Sequence, residues 1–175
     1  ENQLPFLAQL LLTLNQQKKE EIIRLGALFA AHPDAHIFTS LPGTGDLLAP
    51  KLLVLFGDHR QRFPQPALVQ ALAGTCPVTA ASGKKRIIYF RRACNKEYRQ
   101  TAQQFAKCSI DESPWAAAYF NQALARGLGR SHAYRCLANR WLAIIWTLWQ
   151  KREPYDQAYH WQQVHRHRRR QSVKA

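Results

Sequence analysis

The chain has 175 residues, with 25 Lys and Arg against 11 Asp and Glu, so 25 − 11 sets its formal charge at +14. A surplus of that size favours a polyanionic partner, because each phosphate neutralised releases condensed counterions. No apolar run reaches the ~18 residues of a membrane span and no stretch reads as a signal peptide, so neither a bilayer nor export is the expected destination.

Apolar residues make up 46%, enough for a real core, and the length suits one compact domain plus an appendage. There is no Met and the first residue is Glu1, so the chain is expected to be a piece of a longer protein, with part of any active site elsewhere. Cys76, Cys94, Cys108 and Cys136 show no zinc-knuckle or redox spacing and read as reduced, structural thiols of a cytoplasmic protein. Of the histidines, His32 and His36 are interrupted by Pro33, and His165 and His167 lie in an Arg-rich tail, so no metal site is expected.

In chain order, residues 4–31 read as one long helix. Leu4, Leu7, Leu11, Leu14, Lys18, Glu21, Leu25 and Leu28 alternate three and four apart, a heptad seam with two polar interruptions. The helix is read either as a dimerising coiled coil or as an amphipathic helix lying on its own domain, with self-association favoured. His32, Pro33 and Asp34 end it. Leu41-Pro42-Gly43-Thr44-Gly45-Asp46 then precedes an apolar run from Leu47 to Phe56. Pro-Gly-x-Gly between helical segments suggests a helix-hairpin-helix whose glycines let a phosphate approach backbone amides, with a plain tight turn as the alternative. A polar loop with Arg60, Arg62 and Phe63 follows, then a short helix over 67–73 stopped by Gly74.

Residues 74–86 lack helical periodicity. Their Ser82-Gly83-Lys84-Lys85-Arg86 segment puts a hydroxyl beside a glycine and three cations. Ile87-Ile88-Tyr89-Phe90 reads as a short strand or as the start of a helix, and Arg91, Arg92, Asn95, Lys96 and Arg99 follow, with a helix expected over 93–108. Ser113-Pro114 opens a helix running to Ala125. Residues 131–150 form a long helix with Leu137, Trp141, Ile144, Ile145 and Leu148 inward; its Trp residues fall on the apolar stripe and read as core, not as base-stacking platforms. The end, His165-Arg166-His167-Arg168-Arg169-Arg170, is expected to be disordered alone and to bind phosphates non-specifically. The fold is expected to be all-α with at most one short hairpin: a long helix over 1–36, a compact helical domain with a helix-hairpin-helix-like motif over 37–157, and a basic tail over 158–175.

Four features resemble the serine transposases of the insertion-sequence one-ten family. They are the Leu41-Pro42-Gly43-Thr44-Gly45 hairpin, Ser82-Gly83-Lys84 about 40 residues on, the basic stretch Arg91-Arg92-Ala93-Cys94-Asn95-Lys96-Glu97-Tyr98-Arg99, and Arg152-Glu153-Pro154-Tyr155-Asp156 after the closing helix. Ala93 and Cys94 stand where the family has Gly, and Tyr98 where it commonly has Leu. The resemblance implies a bacterial, cytoplasmic and nucleoid-associated DNA recombinase whose serine, here Ser82, attacks a phosphodiester and forms a phosphoserine link. It also implies an upstream RNase-H-like domain whose carboxylates bind divalent metal (Mg), and a structured guide RNA. This chain itself is expected to need no cofactor. DNA is the expected partner and a homo-oligomer through the first helix the expected assembly.

A serine is a weak nucleophile without a base or metal, and Ser82 has Gly83 for close approach and cations for the phosphate but no local base. Read without the family, Ser82 is an ordinary loop serine, and Thr79 is the nearest other hydroxyl. Gly43, Thr44, Gly45, Lys84, Lys85, Arg86, Arg91, Arg92, Asn95, Lys96 and Arg99 are the candidate nucleic-acid contacts. The alternatives are a non-catalytic helix-hairpin-helix module that binds DNA or RNA, and an oligomerisation adaptor. The Ser-Gly-Lys loop argues against the first, since a binding module needs no placed hydroxyl, and the charge argues against the second.

Overall fold

A continuous run without an interior Gly or Pro from Phe6 to Leu25 makes Leu4–Ala30 one helix, α1, with Pro5 in its first turn. Pro33 follows its end, where the missing amide prevents continuation. The computed structural model describes residues 3–83 and 85–172, with only the backbone from 167 onward. After α1 come α2 (Ala35–Thr39), α3 (Gly45–Phe56), a 3-10 turn (Arg60–Arg62), α4 (Pro66–Leu72), β1 (Val78–Ser82), β2 (Lys85–Tyr89), α5 (Lys96–Glu112), α6 (Pro114–Ala125), α7 (Arg130–Lys151) and α8 (Gln157–Ser172). The described residues thus form eight helices and one antiparallel hairpin, the all-α architecture expected.

No residue of α1 is buried. Residues 3–21 are exposed throughout, and only Ile22, Gly26 and Phe29 are half-buried, where the helix meets α3. An amphipathic helix resting on its own domain would hide Leu4, Leu11 and Leu12, yet these are 69%, 61% and 64% exposed. That alternative therefore fails for the first two-thirds of the helix.

The core is organised on α7, which packs against α4, α5 and α6. Its two buried indoles anchor its middle and its C-terminal end. The Trp141 ring meets Phe105, Trp115 and Tyr155 edge-on at 5.2, 4.9 and 5.3 Å, and its Nε1 donates to Ser109 Oγ at 2.8 Å. Trp149 packs against Phe56 and Phe63 at 5.5 and 6.3 Å, and its Nε1 donates to the Gly57 carbonyl at 3.1 Å. Burying an indole this way satisfies its one donor, so the tryptophans act as core residues as expected. Leu137 and Ile145 are fully buried with them, whereas Ile144 and Leu148 are only half-buried.

One ion pair joins the start of the domain to the end of α7. Arg60 donates through Nη1 and Nη2 to the two carboxylate oxygens of Asp34, both at 2.6 Å, and through Nε to the Trp149 carbonyl at 3.1 Å. Its guanidinium carbon also lies 4.6 Å from the centroid of the Trp149 ring. Asp34 is 5% exposed, and the Arg60 hydrogen bonds hold its carboxyl below the usual aspartate range.

Two expectations are corrected. Residues 165–170, expected to be disordered alone, lie within α8, which is described to Ser172; nearer its start the His160 ring lies beside Trp115 (4.7 Å) and pairs through Nδ1 with the Tyr155 hydroxyl at 2.8 Å. Burial, with Arg140 nearby, pushes His160 below the ordinary histidine range, so it is neutral there. The basic helix begins at Lys96 rather than 93, since Asn95 takes an extended backbone and accepts from the amides of Glu97 and Tyr98. The ambiguous stretch after Arg86 is strand, through Tyr89.

Arg60→Leu should strand the buried Asp34 carboxylate and lower stability by about 3 kcal/mol. Urea denaturation monitored by tryptophan fluorescence should show this, and adding Asp34→Asn should recover part of the loss.

Candidate nucleic-acid interface

The hairpin is the most exposed element carrying chemistry: every described residue of β1 and β2 is exposed. Val78 pairs with Tyr89, Thr79 with Ile88, Ala80 with Ile87, Ala81 with Arg86 and Ser82 with Lys85. Side chains alternate across a ribbon, so directly paired residues share a face. Ser82 and Lys85 therefore stand together on the face that also carries Ala80 and Ile87, while Arg86 is on the opposite face beside Ala81. Gly83 follows Ser82 with φ +56°, and a Cβ there would meet nothing within 4 Å. A two-residue hairpin connection needs that left-handed backbone, which leaves the tip bare around the Ser82 hydroxyl. Lys84 lies outside the described residues. Thr79, the other candidate hydroxyl, sits three residues nearer the root and on the other face.

The root is held by cations instead of apolar packing. Arg99 donates through Nη2 to the carbonyls of Arg91 (2.6 Å) and Arg92 (3.5 Å). Arg99 and Arg135 both lie over the Phe90 ring, 4.6 and 4.5 Å from its centroid. At Gly74, with φ +64°, a Cβ would come within 2.7 Å of Arg99 Nη2 and of Cys94 Sγ, so only glycine lets the chain pass here. Asn95 also donates its amide to the Leu72 carbonyl at 2.9 Å. Of the expected contact residues, Asn95 and Arg99 thus have structural work, as cap and clamp, while Arg92 and Lys96 are exposed.

No salt bridge among the described residues uses Lys85, Arg86, Arg91, Arg92, Lys96 or Arg99; the four present are Arg24–Glu21, His32–Asp58, Arg60–Asp34 and Lys151–Glu153. The Nε atoms of Arg91 and Arg99 are buried with no hydrogen-bond partner. Unpaired guanidiniums around an exposed ribbon make a surface suited to phosphates.

The glycine turn is a different kind of feature. The Gly43 amide, expected to face a phosphate, donates to Glu112 Oε2 at 2.8 Å, and a Cβ on Gly43 would lie 2.6 Å from the Cys108 carbonyl oxygen. Thr44 is buried, its hydroxyl donating to the Leu41 and Phe38 carbonyls at 3.0 and 3.3 Å. Gly45, with φ +52°, is the open member. The turn caps one end of α5 and the basic cluster occupies the other, roughly 20 Å away at 1.5 Å per residue. The structure does not bring the two predicted groups together.

Sequence reading of the site missed one signal. Residues 59–96 contain eight Lys and Arg and no Asp or Glu, and residues 113–152 contain six and none. Local motifs hide this, because it is an absence spread over two segments that meet only in the fold.

The structure is thus a helical body bearing an exposed, acid-poor, cation-rooted ribbon with a hydroxyl at its tip. Residues 35–121 match the model of the Transposase IS116/IS110/IS902 family. The chain is 32% identical over 129 residues to the Streptomyces coelicolor protein named "Mini-circle putative transposase for IS117", covering 74% of this chain and 31% of that protein. It is 28% identical over 145 residues to the uncharacterized 43.6 kDa protein of insertion element IS110 from the same species, covering 82% and 36%. The uncharacterized 44.8 kDa protein of insertion element IS116 from Streptomyces clavuligerus is 24% identical over 143 residues, covering 81% and 36%. The chain spans about a third of the length of these relatives. It carries a transposase domain of the IS116/IS110/IS902 family.

Gly43→Ala combines a forbidden φ with overlap onto the Cys108 backbone and should cost about 3 kcal/mol. Gly45→Ala meets open space and should cost about 1 kcal/mol, for its positive φ alone. Equal losses in thermal unfolding would show that the turn is not packed as described.

Proposed function

We propose that this chain is the DNA-handling, nucleophile-bearing part of a transposase, and that Ser82 is the residue that becomes linked to DNA. The observation that carries the reading is the pairing of Ser82 with Lys85 on one face of a bare hairpin tip. In the proposed step, Ser82 Oγ attacks a backbone phosphorus and an Oγ–P bond forms. The bond from phosphorus to a bridging oxygen breaks, and the released sugar hydroxyl carries a proton away. Lys85 lies where it can offset charge on the non-bridging oxygens. Residues 78–89 contain no Asp, Glu or His, so the group that takes the serine proton comes from outside the hairpin.

Among the described residues no group of three His, Cys, Asp or Glu could hold a metal ion. The residues present do not fit the divalent metal that the family resemblance implies, and we assign that metal to carboxylates outside this chain. Among the described residues, also, no helix is long and apolar enough to cross a membrane. DNA is the proposed substrate and a structured RNA the proposed guide; the unpaired cations at the hairpin root suit the backbone of either. The exposed apolar stripe of α1 supports self-association, since leaving Leu4, Leu11, Leu12 and Leu28 in water in an isolated chain is unfavourable.

In the full-length protein, Ser82→Ala should abolish strand exchange and the covalent protein–DNA adduct while DNA affinity stays within about twofold of the parent, because removing a nucleophile removes the covalent path outright. Adduct trapping with mass-spectrometric mapping checks this. An adduct on Thr79, or recombination that survives the substitution, overturns the assignment. Binding of the parent chain should weaken steeply as salt is raised.

Deleting residues 1–20 should lower the mass measured by light scattering from that of an oligomer to that of a monomer. A chain that is monomeric with those residues present would remove self-association from the reading.

A further inference from the structure

At the root of the hairpin, β2 and the segment before β1 enclose a cleft of about 400 Å³ against α6 and α7. We propose that this cleft, where Tyr119, Phe90, Arg135 and Asn139 meet, receives one unpaired nucleotide of the strand that the chain handles. The proposal rests on the nucleic-acid reading above and adds a site to it.

The cleft has the size of a small-molecule pocket, too small for a base-paired helix and large enough for a single base and sugar. Its walls offer π surfaces. Tyr119 is half-buried and packs at 5.8 Å on Trp115, which fixes the phenol ring in place. Arg135 presents a guanidinium plane already seated over Phe90. Unstacked bases are held by aromatic rings and by arginine planes of this kind.

It also offers edge recognition. Asn139 Oδ1 accepts from the Thr75 hydroxyl at 2.9 Å, and the Asn139 carbonyl accepts from Gln70 at 2.8 Å. The Thr75 bond orients the side-chain amide, the Gln70 bond holds the backbone, and Nδ2 has no hydrogen-bond partner among the described residues, which leaves two N–H groups for the acceptors of a base edge. Burial raises the Tyr119 phenol above its ordinary value, so it remains a protonated donor at neutral pH.

Charge complementarity points the same way. Arg126 and Arg140 act electrostatically on Tyr119, and Arg126 and Arg135 on Cys136, another cleft residue. The cleft walls come wholly from the two acid-free segments, 59–96 and 113–152. An aromatic ligand carrying a phosphate is the chemistry that fits. Four strand steps separate Val78 from Ser82, about 13 Å at 3.3 Å per residue, so a strand whose phosphate reaches Ser82 has a neighbouring nucleotide within reach of the cleft.

The experiment measures affinity of this chain for three probes at one salt concentration. These are a fully paired DNA duplex, the same duplex with a single-stranded gap, and a single-stranded RNA, each gapped or single-stranded probe carrying 2-aminopurine at one scanned position. The parent should prefer at least one unpaired probe over the duplex by about tenfold, the scale of one base–aromatic stack, with 2-aminopurine emission quenched at one position. Tyr119→Leu, which keeps apolar bulk, and Arg135→Gln, on the half-exposed α7 surface, should each erase preference and quenching while duplex affinity stays within about threefold. Preference in DNA identifies the substrate strand as the source, preference in RNA the guide, and either supports the site. Loss of duplex and unpaired binding in parallel, or a parent with no preference, overturns the cleft and leaves the Ser82 assignment standing. A parent that binds none of the probes overturns both. Circular dichroism of the two variants separates an unfolded protein from an altered pocket.

Discussion

The fold depends on a single internal ion pair. Asp34 opens the compact domain and Arg60 reaches from the 3-10 turn to bind both of its oxygens, the last turn of α7 and the face of Trp149. The Arg60 guanidinium could not be buried so near the core without the carboxylate, and the carboxylate could not be buried without it. The pair ties the residue before α2 to the last turn of α7, beside the contact of Phe56 in α3 with the Trp149 ring. It also exposes a contrast. The cation that the body requires has a carboxylate, whereas Lys85, Arg86, Arg91, Arg92, Lys96 and Arg99 have none among the described residues. Charge left uncompensated on a folded surface raises the free energy of the isolated chain, and a polyanion relieves it.

The hairpin follows from the same logic. Two strands with both faces in water have marginal stability by themselves. This ribbon is secured at its base, where Arg99 ties the carbonyls of Arg91 and Arg92, sits over Phe90, and passes so close to Gly74 that a side chain there would collide with it. Fixation at the base and freedom at the tip suit the attack on a backbone phosphate proposed for Ser82. The bare space around Gly83 is useful only if something approaches it.

Much of this was readable from residue patterns, and the limits are physical. The 3.6-residue period of α7 carried enough signal to place Trp141 and Trp149 in the core, since a long apolar stripe admits few alternatives. Gly43 shows where motif reading stops. Its amide was expected to meet an anion, but it faces Glu112, a residue 69 positions away, so the anion it binds is internal. Asn95 and Arg99 read as contacts because they are polar in a basic run; that one caps a helix and the other clamps a loop depends on the chain path around them. The tail read as disordered because its net charge is high, yet residues 165–170 lie in α8, whose His160 packs against Trp115 and Tyr155. The cleft could not be anticipated, because its walls come from separate segments between Thr75 and Asn139 that only the fold joins.

The absence of acid from this surface bears on how the proposed chemistry would be controlled. A hairpin with a serine and cations but no proton acceptor can bind a phosphodiester without cleaving it. Activity then requires that another domain bring its base to the tip, so binding and reaction become separate events. Such separation guards against strand cleavage at every site the basic surface touches, which matters because electrostatic binding carries little sequence information. The same reasoning would give α1 a role beyond the proposed self-association. Its exposed stripe projects from the body through the one region, Ile22 to Phe29, that is packed against α3. A partner seated on the stripe would therefore be fixed in orientation relative to α3 and the domain behind it, which is what coupling an external base to Ser82 requires.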